Sequence, residues 1–426
     1  MNVLVMGATG FIGRSLVLRL ARDGHRPIAW VRNAGAARSQ FGADVEIVDA
    51  KAGDDGLVAV LSRVEAVINL AGAPISRRWT KRVRAEAHAS RVTLTERLVA
   101  AIARAEPRPP VLVNGSAVGF YGDRGDDVLD ESAAPGRGML ADLCSAWESA
   151  ARGAERHGVR VVVIRIGVVL GTDGGALVPM LATTRLGLGA TFGAGRQFMP
   201  WIHRRDIVEM IACAVADERW SGVFNGTAPT PARNRELADA LAHAAGRRRW
   251  FRVPGLALRL ALGEAADIVL ASQRAVPTKA LALGFAFRFA VLTDALHDLL
   301  HGHALVSIDR AHDWPDVPVL RERTPVYRLE TATTLDRPID EVWAFFASAR
   351  NLAALTPDDQ GFELVGEVPE QIHAGDIVDV RVGLGPIRLP WRTRIETVEP
   401  NRRFRDSAPR GPFRVWLHEH EFEAHG

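Results

Sequence analysis

The chain opens on an apolar run, NVLVM, followed at once by GATGFIG at residues 7–13. Three glycines three apart, between a strand-like run and a helix-like one, leave few local folds open. Gly7 permits a tight turn, Gly10 lets the backbone approach a diphosphate, and Gly13 lets a helix pack on the strand. A helix starting there offers free N–H groups and a positive dipole end to a phosphate. Ile12, Leu16 and Leu20 keep helical spacing as far as DGH, with Gly24 as the C-cap.

The pattern then repeats. PIAWV, VEIV, AVINLA, PVLVNGSA and VRVVVIRIGVVLG read as strands, while SRVTLTERLVAAIARA and SAWESAARGAERHG read as amphipathic helices. Strands apolar throughout and separated by helices imply a parallel sheet covered on both faces. Right-handed crossovers make that a doubly wound, Rossmann-type α/β fold. The regularity breaks near Gly171, and residues 172–300 read as a small substrate lobe plus returning sheet elements. Residues 1–300 thus form one dinucleotide-binding domain with its lobe. Residues 301–325 are proline-containing and aperiodic, and read as a linker. In residues 326–426 the style changes to α+β. YRLETATTL is a half-exposed strand, and PIDEVWAFFASARNLAAL is a helix with Pro338 near its start. GFELVGEV, DIVDVRVGL, WRTRIETVE and FRVWLHEHEFE alternate as strands of an antiparallel sheet.

Composition narrows the functional classes. A chain of 426 residues has room for two or three domains, and a net charge of +3 with scattered arginines gives no case for nucleic acid or an anionic membrane. No apolar run reaches the roughly 18 residues of a membrane span. The absence of a charged leader predicts no signal peptide. Cys144 and Cys213, far apart in sequence, offer no disulfide framework. The reading is a soluble cytoplasmic protein.

An acidic residue at the end of the second strand usually takes the ribose hydroxyls of NAD. Here AWVRNAG places Arg32 there, which favours a 2′-phosphate and so NADP(H); the alternative is a solvated loop residue. Asp49, ending VEIVDA, either accepts from the adenine amine or caps its loop. The expected cofactor-binding set is Gly7, Thr9, Gly10, Phe11, Ile12, Gly13, Arg32, Asp49, Leu70, Ala71 and Gly72.

INLAGAPISRRWT, SAVGFYGDRG, VVLGTDGGAL, GAGRQFMPWIHRRDI and SQRAVPTKALALGFAFRF extend the argument. With the glycine spacing, they make roughly residues 1–300 resemble the extended short-chain dehydrogenase/reductases of the nucleotide-sugar epimerase group. Within it they resemble the YfcH-like branch, usually labelled "epimerase family protein". The resemblance implies NADP(H), a small-molecule substrate and a homodimer formed through two helices. It does not imply a reaction.

Such enzymes use a Tyr-x-x-x-Lys pair assisted by a serine, because a phenol of pKa about 10 needs a nearby cation to shuttle protons at neutral pH. The tyrosines here, Tyr121 and Tyr327, are followed four residues on by Gly125 and Thr331. The lysines are only Lys51, Lys81 and Lys279. Alignment of MLADLCSAWESAA puts Leu140 at the tyrosine position and Cys144 at the lysine position. Ser116 stands where the substrate-polarising serine would sit, or forms a turn. Tyr121 is the domain's one phenol, a proton donor or a packing aromatic. Cys144 is a thiol donor or a small core residue. His203 is a general acid or a hydrogen-bonded structural histidine. Gln197 and Trp201 approach the substrate or, with Asp206, brace their loop. Arg274 grips a phosphate or carboxylate, or braces the lobe. His301 with His303, and His418 with His420, form His-x-His pairs. No third ligand follows at metal spacing, so no metal is expected.

Residues 326–426 resemble the start of a START/Bet v 1-like helix-grip domain, which implies a curved antiparallel sheet and an apolar ligand. The pattern stops at Gly426, short of the last strands and long helix of such domains, so a partial domain is expected. Two classes of function follow. One is an NADP(H)-dependent oxidoreductase or nucleotide-sugar epimerase-like enzyme; the other is a non-catalytic NADP(H)-binding sensor or scaffold.

Overall fold

The computed structural model describes residues 1–42, 45–185, 189–247, 251–301, 305–310, 327–332, 335, 337–351, 362–366, 368–384, 387–411 and 416–424. They fall into two compact units, Met1–Gly302 and His303–Gly426.

The first unit is built on seven parallel strands: β1 (Asn2–Met6), β2 (Arg26–Val31), β3 (Glu46–Asp49), β4 (Ala66–Asn69), β5 (Val111–Ala117), β6 (Arg160–Ile166) and β7 (Gly222–Gly226). Their order across the sheet is β7-β6-β5-β4-β1-β2-β3. This is the doubly wound sheet the alternating pattern predicts. Side chains alternate between faces along each strand. Val3 and Val5 therefore join one core layer with Leu16, Leu20, Ile211 and Phe224, while Leu4 and Met6 join the other with Leu57, Leu61, Leu98 and Ile102. Burial on both faces explains why these strands are apolar throughout. Helix α1 (Phe11–Arg22) lies on the first layer, burying Gly13, Leu16, Val17 and Leu20, with Arg19 and Arg22 at its carboxyl end. The chain winds outward through β1, β2 and β3, then returns across β1 to β4. The sheet reverses direction there, and its crevice opens beyond the carboxyl ends of β1 and β4.

One strand reading is corrected. VRVVVIRIGVVLG is not continuous: β6 ends at Ile166 and a short strand, Val168–Leu170, leaves the sheet to pair with Trp201–His203. Gly167 makes the break. Its N–H bonds Gly226 O, and a Cβ there would lie 2.4 Å from Pro200 O. Among the later elements, β7 returns to the sheet edge, and helices Asn234–Ala244 and Leu292–His301 pack on a cluster holding Trp201, Leu237 and Phe289.

In the second unit, five antiparallel strands run in sequence order: Glu363–Val365, Ile377–Leu384, Ile387–Glu399, Arg403–Arg410 and Leu417–Glu421. Helix Ile339–Phe346, entered through Pro338, brings Trp343 and Phe346 into a cluster with Val380, Ile395, Phe404 and Phe422. The strand Arg403–Arg410 is absent from the sequence reading. Within the stretch read as a linker, Leu305–Arg310 is a strand paired with Tyr327–Ala332; residues 302–304 and 311–325 lie outside the described residues. Among the described residues, no helix is long and apolar enough to cross a membrane.

Leu16 is fully buried between α1 and the sheet. Leu16→Ala is expected to destabilise the first unit by about 2–5 kcal/mol in urea unfolding followed by circular dichroism. A loss under about 1 kcal/mol would contradict this packing.

Candidate active site

The turn between β1 and α1 is shaped by backbone contact. Gly7 has φ +81°, and a Cβ there would fall 2.7–2.9 Å from the backbone of Leu70 and Ala71, just beyond β4. A Cβ on Gly13 would lie 2.1 Å from Gly7 O. No residue but glycine fits at either place. Gly10 is the N-cap of α1, its N–H on Gly7 O. No side chain caps the helix, and no acidic residue lies in its first turn. The opening amides of α1 therefore face the crevice with their dipole unopposed, the arrangement an anionic diphosphate needs.

The other expected cofactor residues surround this turn. Thr9 is exposed beside Gly10. The Phe11 ring lies under Gly171, Gly174 and Gly175, and that loop is pinned by ion pairs from Arg14 and Arg204 to Asp173. Ile12 is half-buried on α1. Arg32 follows β2 directly; it is exposed and makes no ion pair among the described residues. Asp49 accepts from Lys51 N–H at 2.9 Å and so caps the turn Ala50–Ala52. Leu70, Ala71 and Gly72 form the loop after β4, held by Asn69, whose side-chain oxygen faces Ala71 N–H at 3.3 Å. Asn69 Nδ2 in turn donates to Asn114 and Thr95.

Sequence reasoning missed Arg91. Its guanidinium packs on Gly72, donates to Ala73 O at 3.0 Å and lies 5.4 Å from the Trp147 ring. Nothing in the local pattern distinguishes it from the other arginines of its segment.

Ser116, next to last in β5, is 3% exposed and donates to Glu148 Oε1 at 2.7 Å. Glu148, on helix Met139–Arg152, is held by Arg165 of β6 through two contacts of 2.9 Å. Arg165 also donates to the Tyr121 hydroxyl at 3.0 Å and lies over the Phe120 ring. Tyr121 is wholly buried, with Asn225 Oδ1 at 2.7 Å and Asp130 O at 3.0 Å from its hydroxyl. Burial pushes the Tyr121 phenol above its ordinary pKa, against the pull of Arg165. Ser116 and Tyr121 are thus the two ends of one buried network centred on an Arg–Glu pair. Cys144 sits beside Ser116, where burial and then Glu148 push its thiol up to about 11; it is a thiol at neutral pH.

His203 and the expected substrate residues belong to other surroundings. His203 accepts from Arg205 N–H at 3.0 Å through Nδ1, capping helix Arg204–Ala216. Its Nε2 lies 3.1 Å from Asp298, and Phe289 packs on the ring. Asp206 accepts the N–H groups of Arg288 and Phe289 and braces that segment. Trp201 is fully buried and donates to Thr230 O. Gln197 donates to Phe192 O and Val269 O. The Arg274 guanidinium lies 5.2 Å from the Phe198 ring.

Both family matches fall within the first unit. The NAD dependent epimerase/dehydratase family matches residues 3–225, and a domain of unknown function, DUF1731, matches residues 253–299. The chain is 41% identical over 302 residues to the chloroplastic "Epimerase family protein SDR39U1 homolog" of Arabidopsis thaliana, covering 70% of this chain and 87% of that one. It is 36% identical over 308 residues to human "Epimerase family protein SDR39U1", covering 70% and 100%. A crystal structure of the human protein (isoform 2) with NADPH superposes with a TM-score of 0.64 at 34% identity, covering 71% of this chain and 99% of that one.

Burial, opposed by Asp298, takes His203 from its ordinary 6.5 down to about 4. Between those values the unfolded chain binds more protons than the folded one. The stability due to the neutral imidazole is therefore complete above about 6.5 and drains away as pH falls toward 4. His203→Asn, which keeps a capping side chain, is expected to flatten thermal stability against pH across that window. An unchanged slope would contradict the assignment.

Proposed function

The chain belongs to the NAD dependent epimerase/dehydratase family, and from that premise we propose that it is an NADP(H)-dependent oxidoreductase or epimerase-like enzyme acting on a small carbonyl or hydroxyl compound. The observation that carries this reading is the backbone-sealed Gly7–Gly13 turn, opening uncapped α1 amides onto the crevice at the sheet's reversal. Those amides would hold the diphosphate, Arg32 the 2′-phosphate, and the loop Leu70–Gly72 the adjoining ribose. The NADPH of the human relative's structure supports the phosphate preference. A nicotinamide held there supplies hydride transfer.

Ser116 is the group we assign to polarise the substrate oxygen; its single O–H, held by Glu148 Oε1 in this structure, would turn to the substrate on binding. Arg91, packed on Gly72, supplies positive charge on the cofactor side in place of the missing lysine. For the proton donor, Tyr121, a His203 relay and water are the choices. We favour water, because the Tyr121 hydroxyl already has partners in Asn225, Asp130 and Arg165, and His203 is turned toward Arg205 and Asp298. The same saturation of Tyr121 favours a second reading, a non-catalytic NADP(H) sensor or scaffold. In the C-terminal unit, the aromatic cluster of Trp343, Phe346, Phe404 and Phe422 supports a helix-grip reading with an apolar ligand.

Calorimetry on the intact chain is expected to show NADPH binding more tightly than NADH. Arg32→Ala should weaken NADPH by at least about tenfold, roughly 1.4 kcal/mol, and leave NADH unchanged. Against a panel of sugar nucleotides, quinones and aldehydes, Ser116→Ala should lower kcat by about 100- to 1,000-fold. No heat with either nucleotide overturns the cofactor reading. Tight NADPH binding without turnover on any substrate leaves the sensor reading standing.

A further inference from the structure

We propose that the C-terminal unit carries a site for a divalent transition metal of the zinc type, held by Asp406, His418 and His420. The His-x-His pair alone is two donors on one strand. Register supplies the third. In the antiparallel pairing of Arg403–Arg410 with Leu417–Glu421, Asp406 stands directly opposite His418, and Phe404 opposite His420. Residues two apart on a strand share a face, so all three donors project from one side of the sheet. Their ligand atoms lie within 4.8 Å of one another. A tetrahedral ion bonded at about 2.0–2.2 Å needs donors roughly 3.4 Å apart, which small side-chain rotations supply. The Asp406–His418 edge already meets that spacing, with Oδ2 and Nδ1 3.2 Å apart.

The chemistry of the surroundings agrees. The Asp406 side chain is only 9% exposed, so its charge calls for compensation. The His420 ring stacks on Phe404 at 4.4 Å, has Phe346 at 5.7 Å, and meets the His418 ring at 4.2 Å. Two imidazoles and one carboxylate suit zinc-type cations better than Mg²⁺ or Ca²⁺, which prefer oxygen cages. Three protein donors leave a coordination position for water or a ligand, and the His418 side chain, 45% exposed, puts that position near solvent.

The test uses the full chain without an affinity tag, stripped with chelator, and titrated with Co²⁺ and then Zn²⁺. The expected result is a visible d–d band saturating at one Co²⁺ per chain and displaced by Zn²⁺. His418→Asn and Asp406→Asn, both close in shape to the native residues, should each weaken binding by at least about tenfold. Far-UV circular dichroism checks that both variants remain folded, and NADPH affinity serves as the control in the first unit. No band, or affinity unchanged in both folded variants, overturns the proposal and leaves Asp406–His418 as an ion pair only.

Discussion

The first unit is organised by one backbone contact, the approach of α1 to the turn that launches it. Gly13 sits against Gly7 O, and Gly7 against the backbone of Leu70 and Ala71. These two approaches bring three segments together: the end of β1, the start of α1, and the exit of β4. A side chain at either glycine would push α1 off the sheet, and the layer that buries Leu16, Val17 and Leu20 would part from it. The same closeness leaves the first amides of α1 without a side-chain partner. The contact that fixes the packing of α1 is therefore the same one that leaves its opening amides uncapped.

Behind the crevice lies a second constraint, this time electrostatic. Arg165 and Glu148 are each about 5% exposed or less, and their two-contact geometry is what makes such burial tolerable. Removing one partner of a buried pair strands the other charge at about 3–5 kcal/mol, so the pair is fixed and its neighbours adapt to it. Ser116 spends its proton on Glu148, while the Tyr121 hydroxyl takes one from Arg165 and gives its own to Asn225 or Asp130. A phenol so placed is a structural element of the sheet's carboxyl edge. The missing Tyr-x-x-x-Lys pair is thus part of a larger substitution, in which buried charge on a strand and a helix stands near the serine.

What the sequence made legible was the local, periodic part. The glycine spacing, the apolar strands and the helical repeats identified the doubly wound sheet, because each signal lies within a few residues of its cause. What the sequence left unread depended on partners outside the local segment. The break at Gly167 is imposed by Pro200 and Gly226. Arg165, within an apolar strand, is matched by Glu148, 17 positions away on a helix. Arg91 acquires its place only when the loop Leu70–Gly72 folds over it.

The strand Arg403–Arg410 sharpens the point. RFRDSAPR alternates, but with arginine, aspartate and proline in place of the usual β-branched residues, so the strand signal is weak. Its outward residues form ion pairs, Arg403 with Glu399 and Arg405 with Glu419, while Phe404 and Asp406 face inward. An inward aspartate on a charged strand carries no message in linear order, and neither does a His-x-His pair twelve residues away. Antiparallel pairing converts that separation into direct opposition. Sequence spacing can therefore exclude a metal site formed within one segment, but not one assembled across a hairpin, where register rather than spacing decides which donors meet.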